Sequence, residues 1–254
     1  MLKILLTGRR RWMTLAVLIG VAVCCRLGIW QLDRLAQRRA QNALIHARMA
    51  QPAIVLTGAP VDPDALDYRR VEARGVYDFA QEIVLLGRAF NGAPGVHVIT
   101  PLRLAGSDAA VLVDRGWLPL DQSSPEARRA FTEPGTVAVQ GVARRPPHDG
   151  PRNPQPEPGQ TRLDRWLSLD IPRIQAQTGY PLLPLVIEEQ PAPGQPALPR
   201  RVATTDLGEG PHLGYAIQWF AFAVILLVGY LALMYQQARE QAATRQPAGP
   251  HPTP

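Results

Sequence analysis

The stretch from Gly214 to Tyr235, GYAIQWFAFAVILLVGYLALMY, is 22 residues long and carries no charged side chain. About 20 such residues in a helix cross the hydrocarbon core of a membrane, which is roughly 30 Å thick. A second run, from Trp12 to Leu32, reads WMTLAVLIGVAVCCRLGIWQL and contains one charge, Arg26. The two runs predict transmembrane helices over residues 12–32 and 212–235.

The first run has a second interpretation, because Lys3 and three consecutive arginines precede it, as in the basic region of a signal peptide. No small-x-small cleavage site follows the apolar stretch cleanly, and Trp30, Gln31 and Leu32 are poor cleavage residues. We therefore expect the first run to remain in the protein as an anchor.

The charges are distributed unevenly around these two runs. The chain of 254 residues has a formal net charge of +6, but residues 36–211 contain 19 Arg and 19 acidic side chains. A neutral central domain lacks the electrostatic attraction to phosphate on which nucleic-acid binding rests. We therefore predict no nucleic-acid partner, and contact with membrane lipid instead.

The basic residues also bear on orientation. Positive charge near membrane helices favours the cytoplasmic side, whereas long connections cross the membrane largely regardless of their charge. We predict a cytoplasmic N-terminus over 1–11, an extracytoplasmic domain over 33–211 and a disordered cytoplasmic tail over 236–254. The chain is thus predicted to be a multi-pass protein with both termini in the cytoplasm.

The sequence pattern between the two runs is typical of an α+β domain. Short Val-rich stretches separated by Gly and Pro predict a mostly antiparallel β sheet or small barrel with a few short helices. Strands are expected over 68–77, 82–88, 96–104, 110–116, 136–143 and 183–189, and helices over 35–49, 123–130 and 170–178. Residues 144–160 and 190–199 are rich in Pro and are expected to form loops.

The chain lacks the sequence signatures of common enzymes. It has no phosphate-binding GxxxxGK[ST], GxSxG, HExxH or CxxC motif, and no visible set of acid, base and nucleophile. We predict that the protein is not an enzyme. Of its five histidines, His97 lies in a predicted strand and is expected to be a core residue, and only His212 has a suggestive setting.

His212 precedes Tyr215 and Trp219 at helical spacing, at the outer end of the second run. Two interpretations stay open at this point. Aromatic residues favour the membrane interface in any case. Alternatively, an imidazole beside large aromatic rings suits axial ligation of a haem iron; we expect no other metal to be bound.

Arg26, Trp30 and Arg34 follow one another at i, i+4 and i+8 on the first helix. A charged side chain this close to the end of a span can extend to the lipid headgroups. Alternatively, these residues pair with a partner protein or with carboxylates such as haem propionates. Both interpretations stay open.

Several short motifs, in this order, resemble those of the surfeit locus protein family of cytochrome c oxidase assembly factors, in its bacterial form. The resemblance extends from residue 27 to about 235. Arg38 stands where the family has Lys, and Asp114 where Asn is commoner. The motifs comprise Leu27, Gly28, Trp30, Gln31 and Arg34; Tyr68 to Val71, Gly75 and Asp78; Arg88; Thr100 to Leu102; Val113 to Trp117 and Pro119; Trp166 and Asp170; and His212, Leu213, Tyr215 and Gln218 to Phe220.

The resemblance implies a location in the bacterial inner membrane and a non-enzymatic role in respiratory chain biogenesis. It implies transient binding of haem a, with His212 as the iron ligand and Tyr215, Trp219, Arg26 and Trp30 around it. The expected partners are cytochrome c oxidase subunit I and other oxidase assembly factors, with haem a synthase as a further candidate.

Two points remain open after the resemblance. Arg34, Arg115 and Trp117 are candidate contacts with a partner, but Gly116 beside Trp117 would also suit a simple turn at the exit of a strand. The function is either a chaperone that holds haem a or a membrane scaffold that stabilises an oxidase assembly intermediate without haem.

Overall fold

The computed structural model describes residues 10–146, 153–154, 162–201 and 207–244. Two compact units divide the chain: Met1–Ala43 with Leu207–Pro254, and Leu44–Asp206. We call them the helical unit and the barrel unit. The barrel unit thus begins and ends inside the predicted outer domain of 33–211.

The elements follow one another in the order expected for a β domain between two long helices. The helices are α1 Arg10–Met49, α2 Pro63–Leu66, α3 Pro125–Arg128, α4 Ile171–Thr178 and α5 His212–Thr244. The strands are β1 Ile54–Leu56, β2 Arg70–Tyr77, β3 Ile83–Phe90, β4 Ala93–Leu104, β5 Ala110–Pro119, β6 Thr136–Arg144, β7 Arg165–Trp166 and β8 Leu182–Glu189.

The helical unit consists of α5 and most of α1, and both helices are long and apolar enough to cross a membrane. Only 6% and 17% of their most apolar windows are buried within the structure. A core helix of a globular protein would be mostly buried. The exposed apolar surface of these helices therefore suits lipid as the surrounding medium.

The two helices pack closely along their length. A Cβ added to Gly28 would lie 2.7 Å from the ring of Phe220, and one added to Gly20 would lie 2.8 Å from Leu226. The hydroxyl groups of Thr14 and Tyr230 are hydrogen-bonded across the pair. Small residues and interhelical hydrogen bonds of this kind are how membrane helices associate, since lipid removes most of the hydrophobic driving force.

Helix α5 extends further than the sequence suggested. It continues to Thr244, so the prediction of a disordered tail is wrong for residues 236–244; residues 245–254 lie outside the described residues. The segment QQAREQAA is rich in strong helix formers, and a helix already formed in the span propagates readily into such a sequence. The predicted extension of α1 over 35–49 is confirmed.

The barrel unit contains a closed ring of five strands. Pairing runs from β2 to β6, β8, β5 and β4, and the pairing of β4 with β2 closes the ring. Within the ring only β5 and β8 are parallel. Strand β1 flanks β2, while β3 and β7 continue the sheet beyond β4. The prediction of a mostly antiparallel sheet or small barrel is thus confirmed.

The alternation of side chains sorts the barrel residues into two cores. The interior holds alternate residues of the ring strands, such as Val71, Ala73 and Tyr77 of β2 and Leu183, Leu185 and Ile187 of β8. A second core lies on the outer face, where α4 and Trp166 cover Ile99 and Leu112. Burial on both faces explains why β5 reads as an almost continuous apolar run.

Local sequence signals predicted most of the strands and helices of the barrel unit. Each of the six predicted strands is present, with end points shifted by a few residues. Helix α4 begins after Asp170, whose side chain accepts a hydrogen bond from the backbone N–H of Arg173, as predicted for an N-cap. The Pro-rich segment 190–199 contains no helix or strand, as predicted, and most of residues 144–160 lie outside the described residues.

Gly116 lies within β5 with a φ of 111°. A Cβ at this position would collide with the carbonyl oxygen of Arg200, whose backbone is hydrogen-bonded to Trp117. We expect Gly116→Ala to destabilise the barrel unit by about 3 kcal/mol, the upper end of the range for residues in sparsely populated backbone regions. Thermal unfolding followed by near-UV circular dichroism measures this.

Gly106→Ala is the matched control. Gly106 also has a positive φ, of 76°, but no atom lies within 4 Å of the Cβ that would be added. We expect a loss of about 1 kcal/mol, from backbone strain alone. Equal losses in the two variants would show that the contact with Arg200 contributes nothing.

Candidate functional site

His212 begins α5 and is partly buried in the helical unit. Its Nδ1 lies 2.9 Å from Oε1 of Gln31 on α1. No hydrogen bond or ion pair to its Nε2 is present among the residues that the structure describes. One ring nitrogen is therefore engaged across the helix pair, and the other is available.

The backbone beside His212 leaves space on the side of the available nitrogen. Gly210 has a φ of 70°, and a Cβ at this position would lie 3.4 Å from Cδ2 and 3.6 Å from Nε2 of His212. A side chain larger than a methyl group at position 210 would therefore crowd Nε2. The glycine keeps this edge of the imidazole open.

The predicted aromatic residues line α5 after His212. Trp219 and Phe222 form an edge-to-face pair with ring centroids 5.9 Å apart, while the Tyr215 side chain is exposed. Trp30 on α1 is exposed as well. Such flat apolar surfaces could pack on a planar ligand, and they equally suit the membrane interface.

The structure does not bring Arg26 and Arg34 into contact with His212. The face of α1 toward α5 is marked by Gly28 and Gln31, and Arg26 is 2 residues before Gly28, which places it about 200° away around the helix. Arg34 donates a hydrogen bond to Gln37, 2.9 Å away on the same helix. Whether these two arginines bind propionates or a partner stays a prediction.

A second group of polar residues lies in the barrel unit, around Arg115. The side chain of Arg115 points into the barrel and is only 1% exposed, because it follows Val111 and Val113 on the inward face of β5. Its guanidinium group lies over the rings of Tyr77 and Phe79. These contacts show that Arg115 is a core residue of the barrel. Its role as a contact with a partner protein stays a prediction.

Arg115 belongs to a chain of alternating charges at one end of the barrel. It contacts Glu82 at 3.3 Å and Glu133 at 2.7 Å, and Arg201 also binds Glu133, at 2.6 Å. Each buried ion therefore has an opposite partner, as burial of charge requires. Among the described residues, this chain of alternating charges runs through Asp164, Arg128, Glu82, Arg115, Glu133, Arg201 and Glu189.

The carboxylates in this series of ion pairs differ in the direction in which their pKa departs from the usual value. Burial raises the pKa of Glu82 and of Glu189 above the usual value, against the attraction of the neighbouring arginines. Burial would also raise the pKa of Glu133, but the hydrogen bonds from Arg115 and Arg201 outweigh it and lower the pKa. Glu133 is therefore the acid whose ionised form the barrel favours.

The outward residues of the same β5 segment line a groove with an accessible volume of about 720 Å³. His97 Nδ1 lies 2.7 Å from Asp114 Oδ2, and the other carboxylate oxygen of Asp114 accepts the N–H of Gly116. Trp117 lies beside His97 on the neighbouring strand. Gly116 lies inside β5, which continues to Pro119, so the interpretation as a strand-exit turn is wrong.

Sequence reasoning missed two features of these sites. Gln31 was visible in a motif, but nothing in the sequence joins it to a histidine 181 residues away. The acidic members of the series of ion pairs around Arg115 were not identified, because Glu82, Glu133 and Glu189 lie in different parts of the chain. A charged residue in an otherwise apolar alternating strand, such as Arg115, was the one available signal.

Two helices that are long and apolar enough to cross a membrane and a small β barrel define the class of this protein as a β-barrel domain joined to membrane-type helices. The model of the SURF1 family matches residues 18–224, and the chain therefore belongs to this family. The earlier resemblance to surfeit locus proteins is thus confirmed.

Individual relatives agree with this assignment. A SURF1-like protein from Monosiga brevicollis is 29% identical over 89% of this chain and 88% of its own length. A SURF1-like protein from Rickettsia felis is 28% identical, over 85% and 94% respectively. Surfeit locus protein 1 from Mus musculus is 25% identical, over 80% of this chain and 70% of its own length.

Glu133→Gln tests the charge chain in the barrel. At neutral pH we expect a loss of about 2 kcal/mol in the free energy of unfolding, the scale of a hydrogen bond to a charged group. Because the pKa of Glu133 is lowered in the folded state, its stabilisation is present above the ordinary value of 4.5 and is lost as pH falls through the lowered value. The difference between wild type and variant should therefore shrink below about pH 4.5.

Glu126→Gln serves as the control, since Glu126 is exposed and has no ion pair among the described residues. We expect a change within about 0.5 kcal/mol at every pH. A Glu133→Gln loss that is independent of pH would contradict the assignment of the lowered pKa to the two arginines.

Proposed function

We propose that this protein is an assembly factor for haem-copper cytochrome c oxidase that binds haem a and assists its insertion into subunit I. In this proposal haem a is a cargo held transiently at the helical unit, and the protein performs no catalysis. The site of action is the bacterial inner membrane, with the barrel unit outside the cytoplasm and both termini inside. Other oxidase assembly factors and haem a synthase are the remaining partners.

The available Nε2 of His212 is the observation that carries this proposal. A neutral imidazole binds iron through a nitrogen that has a free lone pair, and the Nδ1 hydrogen bond leaves Nε2 in that role. Gly210 leaves room beside this nitrogen. The residues present therefore fit a haem ligated by His212.

The surrounding residues have distinct parts in the proposal. Tyr215, Trp219 and Trp30 would supply flat apolar surface against the macrocycle. Arg26 would attract the propionates or extend to lipid headgroups, and Arg34, Arg115 and Trp117 are the candidates for partner contact. When bound, haem would supply an iron that accepts the imidazole lone pair, and the hydrogen bond from His212 to Gln31 would orient this lone pair.

Membership of the SURF1 family supports the role in oxidase assembly, because the surfeit locus family is the one to which the motifs around Gln31 and His212 point. The competing function is a scaffold that stabilises subunit I without touching haem. Co-purification with subunit I that persists when haem a synthesis is blocked would favour the scaffold.

The decisive experiment is the haem spectrum of His212→Ala. Protein purified in detergent from cells that make haem a should show a Soret band, and His212→Ala should lose most of it because the iron loses its protein ligand. The measurement is the haem-to-protein ratio by absorbance.

His46→Ala is the matched control. His46 lies on an exposed face of α1, and its loss should leave the haem content unchanged. Wild-type protein without haem would overturn the proposal in favour of the scaffold. Equal haem content in wild type and His212→Ala would overturn the assignment of the ligand.

A further inference from the structure

Gln31 on α1 determines which nitrogen of His212 carries the proton. Its Oε1 lies 2.9 Å from Nδ1, and an amide oxygen only accepts hydrogen bonds. Nδ1 is therefore the donor and carries the hydrogen. In the neutral ring this leaves the lone pair on Nε2.

We propose that Gln31 is the positioning residue for the haem ligand: it holds His212 in the Nδ1–H tautomer and fixes the direction of Nε2. This inference rests on the proposed function, because it concerns the same haem site. Metal-binding histidines generally donate the second ring N–H to an acceptor of this kind, which fixes the ring and strengthens the ligand.

No other described group is hydrogen-bonded to the His212 ring. The hydrogen bond to Gln31 is the one polar contact of the His212 ring among the described residues. On the opposite edge of the ring, the absent side chain of Gly210 leaves Nε2 open. The His212 ring is therefore held at Nδ1, while Nε2 has no partner among the described residues.

The hydrogen bond also makes the haem ligand dependent on the packing of the two helices. Gln31 lies one turn after Gly28, and Gly28 packs against the ring of Phe220 on α5. This close packing brings α1 near enough for Gln31 to reach His212. Separation of the helices would release Nδ1 and remove the constraint on the tautomer.

Three variants of the full-length protein in detergent test this inference, with hemin as the probe. Gln31→Leu removes the acceptor at nearly the same volume, and Gln31→Glu retains an acceptor and adds negative charge. Gln41→Leu is the control, because Gln41 is an exposed residue of the same helix without a described partner. The measurements are the hemin dissociation constant and the reduction potential of the bound haem.

We expect Gln31→Leu to weaken hemin binding about 10- to 100-fold, the usual effect of losing a group that orients a metal ligand. The reduction potential should rise, because an imidazole without the acceptor is a weaker donor to ferric iron. Gln31→Glu should restore the affinity and lower the potential below that of wild type. Gln41→Leu should change neither quantity.

The restored affinity in Gln31→Glu separates orientation from damage to the helix pair, since a purely structural defect would weaken hemin binding in both variants. Unchanged affinity and potential in Gln31→Leu and Gln31→Glu, with haem still lost in His212→Ala, would overturn this inference alone. Wild-type protein that binds no hemin would overturn the proposed function as well.

Discussion

The pairing of β2 with β4 closes the barrel, and the positions of its buried charges depend on this closure. Gly75 of β2 lies opposite Leu104 of β4, where a Cβ would collide with the carbonyl oxygen of Arg103. Gly141 of β6 packs in the same way against the backbone at Glu188 of β8. Glycine at these positions lets neighbouring strands approach closely enough to complete a small ring.

Once the ring is closed, Val111, Val113 and Arg115 of β5 face the interior, and a register shift against β4 ends this alternation before Trp117. Arg115 is therefore enclosed, and its charge has to be balanced there by Glu82 and Glu133. Removal of Glu133 would take away the carboxylate that Arg115 and Arg201 share, and each arginine would keep one buried partner, Glu82 or Glu189. The charge chain thus acts as a constraint on where Glu133, Arg201 and Glu189 must lie when the barrel forms.

Local patterns in the sequence were sufficient for the elements but not for their long-range contacts. The alternation in β2 and the N-cap at Asp170 depend on near neighbours in the chain, so both could be predicted. The end of α5 could not, because the tail is polar and lacks the apolar periodicity from which a helix is inferred. The acidic partners of Arg115 are Glu82, directly before β3, and Glu133, in the segment before β6, and no local rule brings them together.

At the candidate haem site, too, a local pattern identified a residue but not its long-range contact. The sequence identified His212 through its position at the end of an apolar run, which is a local property. Its hydrogen bond to Gln31 arises only when α1 and α5 pack, and a separation of 181 residues hides this contact from pattern reasoning. The family motif contained Gln31 without indicating its partner.

Among the histidines that the structure describes, His97 and His212 each form a hydrogen bond through Nδ1, and they differ in the space around Nε2. His97 lies in the middle of a sheet between Leu85 and Trp117, and its side chain is only 9% exposed. A macrocycle needs clear space around the iron-binding nitrogen, which neighbours on both adjacent strands restrict. His212 lies at the start of a helix with a glycine beside Nε2. In our proposal the flat ligand therefore lies at the helix pair and not in the groove of the barrel, although the groove has the larger set of polar side chains.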